Sequence, residues 1–153
     1  MTLLDDIPDG TLVGLDTMIW IYEVEADPVF GSIVRSFFRD RLAAGSNRAG
    51  SSILALGELL VRPLALGRAD LVQSFRTAIT SSTGFSVWDA TRDVVEKAAE
   101  LRAKYRLKMM DALHVASAVT NRADIFLTND AGLRRVTEVK VLVVADYLPS
   151  PPP

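Results

Sequence analysis

A chain of 153 residues with 49% hydrophobic and 24% charged side chains can bury one sizeable core and is too apolar to remain disordered. The absence of cysteine excludes a disulfide framework, a thiolate nucleophile and every cysteine-containing zinc site. A net charge of −2 excludes a broadly basic, phosphate-binding surface, and with no basic leader and no run near the ~18 apolar residues of a membrane span, a cytoplasmic protein is expected.

Apolar runs of strand length alternate with segments of helical period, which predicts an α/β fold with a mainly parallel sheet. Thr11 to Leu15 reads as the first strand, and Asp16 caps a helical segment from Thr17 to Glu25. Pro28 and Gly31 bend the chain before an amphipathic helix from Phe30 to Leu42. Asn47 to Gly50 reads as a short strand, with Ser51 or Ser52 as N-cap of a helix that carries Ile53, Leu56, Leu59 and Leu60 and ends near Pro63 and Gly67. A further helix spans Ala69 to Ile79, a strand Phe85 to Trp88, and a helix Thr91 to Lys104. Asp111 to Asn121 has almost no polar face and predicts a buried helix; Ile125 to Leu127 and Val139 to Val144 complete the sheet. Residues 1–148 are expected to form a single domain and 149–153 a proline-rich tail that cannot join a sheet.

Four acids fall where this pattern presents side chains to one edge. Asp16 follows the first strand and Asp130 lies just past the strand 125–127, and ligand crevices of parallel sheets lie at the carboxyl ends of strands. Asp111 opens the buried helix, and Glu58 lies within a helix among Leu56, Leu59, Leu60 and Val61. Singly, Asp16 and Asp111 read equally well as caps and Glu58 as an exposed side chain. Together they would repel: two carboxylates about 4 Å apart cost roughly 4 kcal/mol at an effective dielectric of about 20. A cluster of this kind therefore calls for protons or a cation, and oxygen-only donors suit Mg2+, with Mn2+ as a substitute. Water activated by such a cation can attack a phosphodiester in line.

These residues resemble the PIN-domain family from Leu12 to about Val144. Leu15-Asp16-Thr17 looks like its first acidic motif, Ser52 with Glu58-Leu59 like its helix-borne glutamate, Asp111-Ala112-Leu113-His114 like its third motif, and Thr128-Asn129-Asp130 like its fourth. The resemblance implies a Rossmann-like three-layer α/β/α sandwich and a Mg2+-dependent endoribonuclease. At this size it is most similar to the VapC-type toxins of type II toxin–antitoxin pairs, which implies an RNA substrate, a cognate antitoxin and a homodimer. It assigns Asp16, Glu58, Asp111 and Asp130 to the metal, and Thr17 and Thr128 to orienting carboxylates or water.

Other features have plainer readings. Asp93 is a first-turn partner of a helix dipole. His114, the one histidine, lies three residues after Asp111 and reads as a packed or hydrogen-bonded side chain rather than a proton shuttle. Lys97, Arg102, Lys104, Arg106 and Lys108 face only Glu100 and form either a solvated surface or an RNA track. Met18, Ile19, Trp20, Tyr22 and the helix Phe30 to Leu42 carry apolar surface beyond one core stripe, pointing to core packing or to a dimer or antitoxin contact. A haloacid-dehalogenase-type phosphatase would want a second aspartate where Met18 stands. The remaining alternative is a stand-alone or catalytically silent PIN-like module for RNA binding or protein interaction.

Overall fold

In the computed structural model, which describes residues 1–149, five parallel strands form one sheet: β1 (Leu12–Leu15), β2 (Arg48–Ser52), β3 (Phe85–Trp88), β4 (Ile125–Thr128) and β5 (Lys140–Val143), in the order β3-β2-β1-β4-β5. Six helices connect them: α1 (Thr17–Val24), α2 (Gly31–Phe37), α3 (Leu54–Ala65), α4 (Ala69–Ser81), α5 (Arg92–Tyr105) and α6 (Met109–Thr120). One apolar cluster joins α1 to α4 to one face of the sheet, and a second joins α5 and α6 to the other. The result is the three-layer α/β/α sandwich read from the sequence. The chain runs from β1 outward through β2 to β3, then returns to the opposite side of β1 for β4 and β5. That reversal puts a crevice between the carboxyl ends of β1 and β4, the favoured ligand position in open parallel sheets.

Two glycines let neighbouring groups press directly onto the sheet backbone. A Cβ on Gly14, in the centre of β1, would stand 2.8 Å from Ala118 Cβ of α6 and 3.1 Å from the Phe126 ring. A Cβ on Gly50 of β2 would lie 2.1 Å from the Trp88 ring, so the indole rests directly on the backbone. Helix α6 is enclosed, with every residue from Ala112 to Ala118 buried, in keeping with its sequence. On the opposite face Trp20 packs edge-on against Phe38 and Phe85, at centroid distances of 5.1 and 4.7 Å. Its Nε1 donates to Ser51 Oγ, which in turn donates to Leu15 O, tying α1 to the ends of β1 and β2.

Several expectations are corrected. Ser51 and Ser52 belong to β2 rather than capping the next helix; Ile53 holds the cap position, and Ser52 Oγ accepts only a 3.2 Å bond from the Leu54 amide. Both serines are buried, and pairing with β3 accounts for their extended backbone. The break read over Pro63 and Gly67 does hold: α3 ends at Ala65, with Pro63 buried in its last turn, where a proline disturbs few helical bonds. The segment Phe30 to Leu42 is not one regular helix, since α2 passes into a π-helical turn over Phe38–Leu42, closed by Ala43 N donating to Phe38 O. Helix α6 begins at Met109, which puts Asp111 in the first turn rather than at the cap. The apolar surplus is largely internal: Ile19, Trp20, Val34 and Phe37 are fully buried, Tyr22 nearly so, and Met18 alone of the α1 group is exposed, at 41%. Those buried side chains are therefore not contacts for another chain. The tail lies, from residue 150 on, outside the described residues.

Overpacking a closed interior costs roughly 1–3 kcal/mol. Gly14→Ala is accordingly expected to lower stability by about that amount in chemical denaturation, with an unchanged m-value.

Candidate active site

Asp16 caps α1 immediately past β1. Its Oδ1 accepts the Thr17 amide at 2.8 Å and its Oδ2 accepts the Thr128 hydroxyl, from the end of β4, at 2.6 Å. Both oxygens are thus fixed, one by the helix start and one by the neighbouring strand, so the carboxylate cannot rotate without losing a bond. Thr128 Oγ1 also accepts the Asp130 amide at 3.0 Å, and Asp130 caps a short 3-10 turn (Ala131–Arg135) through Oδ1 and the Gly132 amide at 2.7 Å. Between them Asn129 is clamped: its Nδ2 donates to Tyr22 OH at 2.8 Å and its Oδ1 accepts the Ala145 amide at 2.9 Å. The loop after β4 is therefore held on both flanks, and Asp130 remains exposed at its tip.

Glu58, on the second turn of α3, is exposed yet anchored by hydrogen bonds. Thr17 Oγ1 donates to its Oε1 at 2.7 Å, and His114 Nε2 lies 2.5 Å from the same oxygen. Thr17 and His114 are themselves 3.2 Å apart. His114 is 3% exposed, which agrees with a hydrogen-bonded, packed histidine. Thr17 therefore links the two halves of the site, its amide on Asp16 and its hydroxyl on Glu58.

Asp111 is half-buried, and none of the side-chain bonds among the described residues satisfies its carboxylate. Burial pushes its pKa above the ordinary aspartate range, and the charges of Asp16 and Asp130 push it further; Lys108 and His114 pull the other way. The carboxylates of Asp16, Asp111 and Asp130 are thus within Coulombic reach of one another at the crevice. They do not close into a cage: among the described residues no three acidic or histidine side chains stand close enough to grip one metal ion. This donor set fits a hard cation that takes one or two carboxylates and completes its shell with water and substrate phosphate. It does not fit zinc, which wants nitrogen or sulfur donors in a closed tetrahedron.

The basic segment is partly neutralised. Lys97 pairs with Glu100 at 2.5 Å, Lys104 pairs with Glu138 at 2.9 Å, and Arg102 donates to Leu107 O at 3.2 Å. Arg106 and Lys108 are left without side-chain partners among the described residues, the former in left-handed backbone at the end of α5. Asp93 sits in the first turn of α5, capped by Thr91. The contact of His114 with Glu58 was not legible from the sequence, where the only signal was its spacing from Asp111.

The PIN domain family model matches residues 13–139, a span containing all four acids. A search of curated protein sequences finds no match. Among solved structures the chain is similar to VapBC2 from Rickettsia felis bound to a DNA fragment from their promoter, at 20% identity over 86% of this chain and 98% of that one, with a TM-score of 0.69. It is similar also to VapC20 of Mycobacterium tuberculosis, a sarcin-ricin-loop-cleaving toxin (18% identity, 85% and 99% covered, TM-score 0.65), and to a toxin-antitoxin complex from Klebsiella pneumoniae (22%, 88% and 98%, 0.61). Identities at this level establish a shared fold. With the family model matched over most of its length, with strands, crevice and acids in one frame, the chain belongs to the PIN-domain family.

Proposed function

We propose that this protein is a Mg2+-dependent endoribonuclease and the toxin of a type II toxin–antitoxin pair. The observation that carries the reading is the meeting of Asp16, Asp111 and Asp130 at the switch point of the sheet, with Asp111 half-buried, unsatisfied by hydrogen bonds and raised in pKa first by burial and then by the other two. A carboxylate so placed favours a proton or a cation as its partner. Mg2+, when bound, supplies positive charge for the nonbridging phosphate oxygens and lowers the pKa of an attacking water.

The chain's own residues then have distinct parts. Asp16, locked by Thr17 and Thr128, would hold the cation with a carboxylate of fixed orientation. Asp111 answers the charge of the cation from α6, and Asp130 borders the open side where RNA enters. Lys108, near enough to Asp111 to lower its pKa, is available to a phosphate. In-line hydrolysis makes no use of the ribose 2′-hydroxyl, so preference for RNA resides in groove shape and contacts.

An antitoxin partner is supported by the complexes among the similar structures. The apolar surface available for an antitoxin or a second copy includes Val61, Leu64 and Leu66, exposed on and just after α3. Among the described residues no helix is long and apolar enough to cross a membrane.

On structured RNA with Mg2+, Asp16→Asn is expected to cut cleavage at least ~100-fold, and Thr128→Val about 10–100-fold, since outer partners of metal-binding carboxylates carry effects of that size. A chelator should abolish wild-type cleavage, and equal cleavage by wild type and Asp16→Asn under every condition would reject the assignment. A raised carboxyl binds its proton better in the folded state than in the unfolded one, so its contribution to stability is lost as pH rises from the ordinary aspartate value through the raised one. Asp111→Asn is therefore expected to melt above metal-free wild type at pH 7, with the gap closing as pH falls towards the ordinary aspartate range; thermal melts across pH check this.

A further inference from the structure

We infer that His114 is a positioning residue of the acidic centre: its Nε2–H, together with the Thr17 hydroxyl, fixes Oε1 of Glu58 and leaves Oε2 as the oxygen that this carboxylate offers to a divalent cation. The inference deepens the metal-dependent reading above and rests on it.

The geometry assigns each proton. An ionised carboxylate oxygen only accepts, so the 2.5 Å approach of Nε2 to Glu58 Oε1 requires hydrogen on Nε2. The Thr17 hydroxyl donates to the same oxygen at 2.7 Å, and the 3.2 Å between Thr17 and His114 places both donors on one side of it. Oε1 is thereby committed to the protein, while Oε2 has no hydrogen-bond partner among the described residues. The imidazole is itself immobilised: His114 is 3% exposed, within a helix whose neighbouring residues are all buried, and its Nδ1 has no partner. Glu58, by contrast, is 39% exposed on its side chain and would sample several rotamers without this anchor. A buried ring on α6 thus sets the direction of a half-exposed carboxylate on α3, much as outer partners orient ligands in metal sites generally. His114 touches neither the crevice acids by hydrogen bond nor, on this reading, the substrate.

His114 is the only histidine, so labelling histidine with 15N in the full chain reports this ring alone. In metal-free wild type, ring nitrogen shifts are expected to show hydrogen on Nε2, and Glu58→Gln should move the Nε2 signal. Mn2+ binding, followed by electron paramagnetic resonance, should weaken about 10-fold or more in His114→Leu. His114→Gln, whose amide reaches the place of Nε2, should retain most of the affinity. A bare Nε2, a ring signal indifferent to Glu58→Gln, or Leu and Gln variants that bind Mn2+ alike would overturn the inference. The comparison of wild type with Glu58→Gln leaves His114 in place, so it decides the matter even if the His114 variants fold poorly. Wild type that binds Mn2+ with this pattern but leaves RNA intact would overturn the ribonuclease reading and keep His114's role. Cleavage by a wild type whose ring ignores Glu58 would do the reverse, and a wild type that binds no Mn2+ would overturn both.

Discussion

Repulsion among carboxylates at the ends of β1 and β4 is the constraint around which the rest of the molecule is arranged. Asp16, Asp111 and Asp130 come from three separate stretches of chain, and their mutual charge opposes the fold that joins them. The fold answers with donors. The Thr17 amide and Thr128 hydroxyl hold Asp16, the Gly132 amide holds Asp130, and Thr17 and His114 hold Glu58. Asp16 and Asp111 also stand at the starts of α1 and α6, where the helix dipoles favour negative charge. Asp111 is the residue for which these measures fall short, and the imbalance left there is what a cation would relieve.

The positions of the acids were legible because each sits at a boundary that the sequence marks. Asp16 follows the run Leu12 to Leu15, Asp130 follows Ile125 to Leu127, and Asp111 heralds an apolar helix whose enclosure on all sides its composition announced. The alternation of strands and helices led to the parallel sheet, since parallel neighbours require crossovers of that length, and the family resemblance supplied the three layers. Recognition of four motifs in one order carried more than any of them alone.

What stayed hidden depends on tertiary neighbours. Ser51 and Ser52 have the chemistry of helix caps, yet pairing with β3 draws them into β2. The apolar excess in α1 and α2 left core packing and a contact for another chain both open, because a helix period counts only one inward stripe. Here α1 is covered on several sides, by the sheet, α2, α3 and α4, and so buries Ile19, Trp20 and Tyr22 alike. The meeting of His114 with Glu58 joins residues 56 apart in sequence, and no local pattern encodes it.

The glycine at the centre of β1 has a consequence beyond packing. With Ala118 Cβ only 2.8 Å from where a side chain would begin, the gap between β1 and α6 is as narrow as the backbone allows. Asp16 leaves the end of that strand and Asp111 the start of that helix, so the interlayer gap acts as a caliper for the span between the two carboxylates. Bulk added deep in the interior, far from any solvent, would widen the jaws and part the two carboxylates without touching either.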